Sequence, residues 1–122
     1  MVKKILLIED DDMLRELITK RLTDGGYQVT QAINGIDGLG AIKQINPDLV
    51  LLDIILPGMD GFEILEKIKN DNQISKIPVI MLSNLSQASD IEKALKLGAT
   101  DYFIKVNFTS DDVLEKIKNI LK

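Results

Sequence analysis

The sequence predicts a three-layer α/β fold, a doubly wound (βα)5 unit with a five-stranded parallel sheet between helices. Three observations predict it. Short aliphatic runs recur along the chain, as in strands buried on both faces. Each run is followed by a longer segment whose apolar residues repeat with helical period. Each join is short, and right-handed crossovers then put helices on both faces of the sheet.

The first strand is expected at Lys4–Ile8, where Ile5-Leu6-Leu7-Ile8 is wholly aliphatic. The first helix is expected over Asp12–Asp24, with Leu14, Leu17, Ile18 and Leu22 on one stripe and Gly25-Gly26 as its stop. Gln28–Ala32 alternates, with Val29 in and Thr30 out, so it belongs near a sheet edge. The next helix, Ile36–Ile45, carries Ile36, Leu39, Ile42 and Ile45, with Pro47 ending it. Leu49–Leu52 and Val79–Leu82 are again aliphatic and belong at the centre. Between them a helix over Gly61–Asn70 carries Phe62, Leu65 and Ile68. Ser86–Leu97 follows with Ile91, Ala94 and Leu95, and Gly98 suits the residue past its end. Tyr102–Ile104 is the last strand. The last helix, Thr109–Leu121, carries Val113, Ile117 and Ile120, and Thr109 with Asp112 fits a capping box.

Composition narrows function. A chain of 122 residues suits one domain, 1–122, with a core of its own, and no further domain is expected. Without cysteine there is no disulfide and no thiolate metal site; without histidine the commonest acid–base group is missing. The apolar run after Met1-Val2-Lys3-Lys4 is too short for a signal peptide, and acids follow it at once. No stretch approaches a membrane span. A net charge of -4 argues against direct nucleic-acid binding. A cytoplasmic domain with no membrane contact is expected.

The chemistry-bearing residues fall at strand ends. Glu9, Asp10 and Asp11 follow the first strand, Asp53 follows the third, Ser83 and Asn84 the fourth, and Lys105 the fifth. Ligands of open parallel sheets bind beyond the carboxyl ends of the strands. Acids gathered there repel by roughly 4 kcal/mol per pair at 4 Å in a surface-like dielectric. Such a cluster needs a cation, a proton or a chemical use. Hard oxygen donors suit Mg²⁺. Asp53 is then a carboxylate able to attack a phosphoryl donor, with Lys105 as a second cation and Ser83 as a hydrogen-bond donor to the transferred group.

The chain resembles the receiver domains of bacterial two-component response regulators over essentially its whole length. The matching stretches are Ile5-Leu6-Leu7-Ile8-Glu9-Asp10-Asp11, Asp53-Ile54-Ile55-Leu56-Pro57-Gly58-Met59-Asp60-Gly61, Pro78-Val79-Ile80-Met81-Leu82-Ser83 and Gly98-Ala99-Thr100-Asp101-Tyr102-Phe103-Ile104-Lys105. The resemblance implies a flavodoxin-like strand order, 2-1-3-4-5. It implies that Asp53 is the phosphoacceptor, charged by the phosphohistidine of a sensor histidine kinase or phosphotransfer domain. It implies a metal site for Mg²⁺, or alternatively Mn²⁺, made by Asp10 directly, Glu9 through water, Asp53 and the backbone carbonyl of Ile55. Ser83 matches the switch hydroxyl, Tyr102 the aromatic switch residue and Lys105 the family's lysine. A downstream protein would read the face made by the fourth helix, fifth strand and fifth helix. Monomer and phosphorylation-dependent dimer both stay open.

Departures from the family pattern are specific. Lys105 is followed by Val106 where the family usually has a proline behind a cis bond; a cis bond before a non-proline residue costs about 2.5–4 kcal/mol, so a trans bond is expected. Asn84 stands where a small residue is usual. Ile55 and Leu85 occupy two positions that tune phosphate loss in the family, and with no polar group to orient water a slow autodephosphorylation is expected. The alternative function is an interaction module of the same fold that no longer takes phosphate. A flavin protein or aspartate-based phosphatase ranks below both: the loop after the first strand is acidic, and Ile55 stands where such phosphatases carry a second aspartate.

Overall fold

A computed structural model describes residues 2–122; Met1, the first residue of the stretch judged too short for a signal peptide, lies outside the described residues. Five strands, β1 (Lys4–Ile8), β2 (Gln28–Ala32), β3 (Leu49–Asp53), β4 (Val79–Ser83) and β5 (Asp101–Ile104), form one parallel sheet in the order β2-β1-β3-β4-β5. The helices are α1 (Asp12–Asp24), α2 (Gly35–Ile45), α3 (Gly61–Lys69), α4 (Ala88–Lys96) and α5 (Ser110–Ile120), with a 3₁₀ turn over Lys105–Asn107. Among the described residues no helix is long and apolar enough to cross a membrane.

Alternation along the strands feeds two cores. Leu6, Ile8, Val50, Leu52, Val79 and Met81 face α2, α3 and α4, where Ile42, Ile64, Leu65, Ile68 and Ala94 close the layer. Ile5, Leu7, Leu49, Leu51, Ile80 and Leu82 face α1 and α5, where Ile18, Leu22, Val113 and Ile117 close it. The sheet is therefore apolar on both sides, as its aliphatic runs require.

Most end signals act as expected. Thr109 and Asp112 make the capping box of α5. Gly26 and Gly98 take positive φ just past α1 and α4. Other details differ. The stop of α2 is Asn46, in the left-handed region at φ 49°, one residue before Pro47. The fourth helix begins at Ala88, not Ser86, because Gln87 with Asp90 caps it. Helix α2 does not bury Ile36, which is 65% exposed; its buried face is Gly35, Gly38 and Ile42. A Cβ on Gly38 would stand 2.8 Å from Ile8 Cγ1, so the bare backbone lets α2 lie close on β1 and turns Ile36 outward. Leu17 and Leu95 are also exposed, and α4 buries only Ala94 completely. All peptide bonds among the described residues are trans, Lys105–Val106 included.

Candidate functional site

The strand order reverses between β1 and β3, which both leave from the centre of the sheet. Ile8 pairs in register with Leu52, so the next residues, Glu9 and Asp53, emerge side by side. One carboxylate oxygen from each of Glu9, Asp10 and Asp53 lies within 4.8 Å of the others. Asp10 is exposed, while Glu9 and Asp53 are buried. Lys105, just past β5, reaches across β4: its Nζ stands 2.8 Å from Asp53 Oδ2 and 2.7 Å from Glu9 Oε1.

Each carboxylate is oriented by backbone. Asp53 Oδ1 accepts from the Ile54 amide at 2.7 Å and, more weakly, from the Ile55 amide at 3.4 Å. Glu9 Oε2 accepts from the Asp11 amide at 3.0 Å. Glu9 Oε1 is buried and paired with the Lys105 charge, yet has no aligned hydrogen-bond donor. Three hard carboxylate donors, converging beside a single ammonium, fit a hard divalent cation. The Asp11 side chain looks away from this cluster and caps α1 through the Leu14 amide. Ile55 is in the β3–α3 loop with an exposed side chain, and the loop closes through the Gly61 amide on the Ile54 carbonyl at 2.8 Å.

The β4 end carries the hydroxyls. Ser83 is fully buried, and its Oγ accepts from the Leu85 amide at 3.2 Å. The Tyr102 hydroxyl donates to the Leu85 carbonyl at 2.7 Å, so both side chains hold the same loop. Burial raises the Tyr102 pKa, opposed by the nearby Ser83 hydroxyl. Asn84 and Val106 stand at the rim, where with Asp11, Met13, Leu14, Leu17 and Lys105 they line an open cavity of about 550 Å³.

Burial raises the Glu9 pKa from the ordinary 4.5 to about 7, against the lowering effect of Lys105 and the Asp11 amide and with a further raise from Asp53. Burial alone would lower that of Lys105, but the carboxylates of Asp53 and Glu9 outweigh it and leave it raised. Between pH 4.5 and 7 the folded chain therefore holds a proton on Glu9 that the unfolded chain has released. Stability falls as pH rises through that window, by up to about 3 kcal/mol. Without divalent cations, urea unfolding should show a more stable chain at pH 5 than at pH 7.5. Millimolar Mg²⁺ should flatten that slope, because a cation favours the ionised Glu9.

Sequence reasoning brought Glu9, Asp10, Asp53 and Lys105 to one place, and they are together. It missed two neighbours. Arg15, on α1, donates from Nη1 to the Glu9 carbonyl at 3.0 Å. Gly61 packs so close that a Cβ there would meet the Asp53 carbonyl oxygen and lie 2.6 Å from Ile54 Cα. Their only sequence signals were a basic residue one turn beyond an acid run, and a glycine after a capping aspartate.

Comparison with known proteins agrees with this geometry. The profile of the response regulator receiver domain matches residues 5–118. The DNA-binding dual master transcriptional regulator RpaA of a Synechocystis species is 36% identical over 119 residues, which are 98% of this chain and 49% of that protein. The transcriptional regulatory protein AfsQ1 of Streptomyces coelicolor is 41% identical over 101 residues, 83% of this chain and 44% of that protein. The chain thus spans about half the length of these relatives. Among solved structures, a response regulator from Chloroflexus aurantiacus superposes with TM-score 0.92 at 29% identity, covering 99% of this chain and 98% of that one. The BeF3-activated DrrB receiver domain gives 0.88 at 29% identity over 99% and 98%. The Mn(2+)-bound form of response regulator Rcp1 gives 0.82 at 27% identity, covering 97% and 91%. With five parallel strands in the order 2-1-3-4-5 and a receiver profile over nearly its whole length, this chain belongs to the response regulator receiver domain family.

Proposed function

We propose that residues 1–122 work as one phosphoryl-accepting signalling domain, with Asp53 as the acceptor. The observation that carries this reading is the setting of Asp53: a carboxylate 4% exposed, with one oxygen on an ammonium, beside two further acids. A cation must neutralise those acids before a phosphate can approach. Glu9, Asp10, Asp53 and the carbonyl of Ile55 would hold it. When bound, Mg²⁺ (or Mn²⁺, the ion bound in the Rcp1 structure) supplies charge stabilisation on the phosphoryl oxygens.

The residues of the chain do the rest. An Asp53 oxygen attacks phosphorus, a P–O bond forms as the P–N bond of a phosphohistidine breaks, and the ring, already protonated on its other nitrogen, leaves as neutral imidazole. Lys105 keeps its charge beside the entering group, since its pKa is raised. The buried Ser83 side chain, one residue beyond the partner of Asp53 in register, swings its hydroxyl away from the Leu85 amide and donates to the new oxygens. That loosens the loop which Ser83 and Tyr102 share at Leu85, and the face of α4, β5 and α5 changes for a downstream partner. The donor is a sensor histidine kinase or phosphotransfer domain.

Acetyl phosphate with Mg²⁺, followed by peptide mass spectrometry, tests this. Incorporation at Asp53, lost with a chelator, is expected; no incorporation with Mg²⁺ present would leave the phosphate-independent interaction module instead. Phosphate loss should be slow. Ile55 is 61% exposed at the rim and Leu85 is aliphatic, so neither side chain orients a water. The half-life of the labelled chain with Mg²⁺ should exceed minutes, and a half-life of seconds would contradict this.

A further inference from the structure

Arg15 is an arginine held for no evident structural gain. Its side chain is 11% exposed, on the first turn of α1. Nη1 donates to the backbone carbonyl of Glu9 at 3.0 Å, and Nη2 pairs with Asp12 Oδ1 at 2.5 Å. Its Nε is buried with no partner among the described residues. Burying a cation and leaving one donor unpaired is costly, and an apolar side chain could tie α1 to β1 at less cost. Buried polar groups kept on such terms call for a reason.

The reason lies in what is clamped. Glu9–Asp12 is the turn that carries two of the three converging carboxylates. Arg15 grips it from the carbonyl side at Glu9 and from the far end at Asp12, while Glu9 Oε2 ties the Asp11 amide from within. With both ends fixed, Asp10 has little freedom to turn from the cluster.

We propose that Arg15 is a positioning residue that holds the β1–α1 turn in its cation-binding shape. The inference rests on the functional reading above, and its test separates the two. Arg15→Lys keeps the charge but loses the two-armed grip; Arg15→Met keeps the stem and loses both. Mg²⁺ affinity is measured by calorimetry at a temperature where circular dichroism shows all three chains folded, and labelling of Asp53 by acetyl phosphate is followed as Mg²⁺ rises. Both variants should bind Mg²⁺ about tenfold more weakly, as removal of groups that orient metal ligands typically does. Saturating Mg²⁺ should return the labelling rate toward wild type. Unchanged affinity in both, with only a lower melting temperature, would overturn the proposal in favour of a structural role. Tighter binding in Arg15→Met with no change in Arg15→Lys would overturn it in favour of charge alone. A wild-type chain indifferent to Mg²⁺ would sink the functional reading and the role of Arg15 with it.

Discussion

Asp53→Asn should reduce labelling by acetyl phosphate to background, while the chain stays folded. An amide cannot form the acyl phosphate, and among the described residues no other carboxylate shares this setting: Asp10 is exposed, and the Glu9 side chain is fully buried between the Asp11 amide and Lys105. The fold should not suffer. An asparagine oxygen can still accept from the Ile54 amide, and Lys105 keeps Glu9 as a partner. The substitution removes a buried charge and its repulsion toward Glu9. Loss of its pairing with Lys105 largely cancels the relief of repulsion, so the saved burial cost decides the sign. Stability without divalent cations should rise by about 1 kcal/mol in urea unfolding, and the Mg²⁺ dependence of stability should weaken. Labelling retained at the wild-type rate would remove Asp53 from its role. A large loss of stability would mean that Asp53 is a structural group.

Gly61→Ala should have the largest effect on stability of any single methyl group added near the site. The new Cβ would collide with the Asp53 carbonyl oxygen and lie 2.6 Å from Ile54 Cα. Both are backbone atoms at the end of a central strand, so neither can move aside as a side chain tip can. Overpacking of this kind costs about 3 kcal/mol at the upper end. That corresponds to a melting temperature lower by roughly 10 °C for a chain of this size. The same push would shift the Asp53 carboxylate, because the Gly61 amide closes the loop on the Ile54 carbonyl next to it. Labelling should therefore fall even at a temperature where the variant is fully folded. Calorimetric melting and acetyl-phosphate labelling at 15 °C, compared with wild type, separate the two effects.

The fold was legible because burial on both faces leaves a coarse signature. Leu49–Leu52 and Val79–Leu82 admit few readings other than central strands, and the sheet order follows from which runs are wholly aliphatic and from the family resemblance. The site was legible because its acids and its lysine sit at strand ends, where topology alone brings them together. Contacts that depend on how closely backbones approach were not legible. Ile36 fits a helical stripe as well as Gly38 does, and only the fit of Gly38 on Ile8 shows which face turns inward. Arg15 reads as an ordinary exposed cation of an amphipathic helix until its guanidinium is seen on the Glu9 carbonyl. The Tyr102 hydroxyl finds the Leu85 carbonyl only once the β4–α4 loop has its shape.

Helix α4 keeps a single residue, Ala94, wholly out of water, whereas α3 buries Gly61, Ile64, Leu65 and Ile68. Little apolar contact opposes its lifting, and brief excursions away from the sheet cost it less than any such movement of α3 would. A chemical event at the strand ends thus needs to supply only a modest push to tilt that balance. On the function proposed above, a partner would choose among poses open to so loosely seated a helix, and recognition and activation would draw on one shallow energy surface.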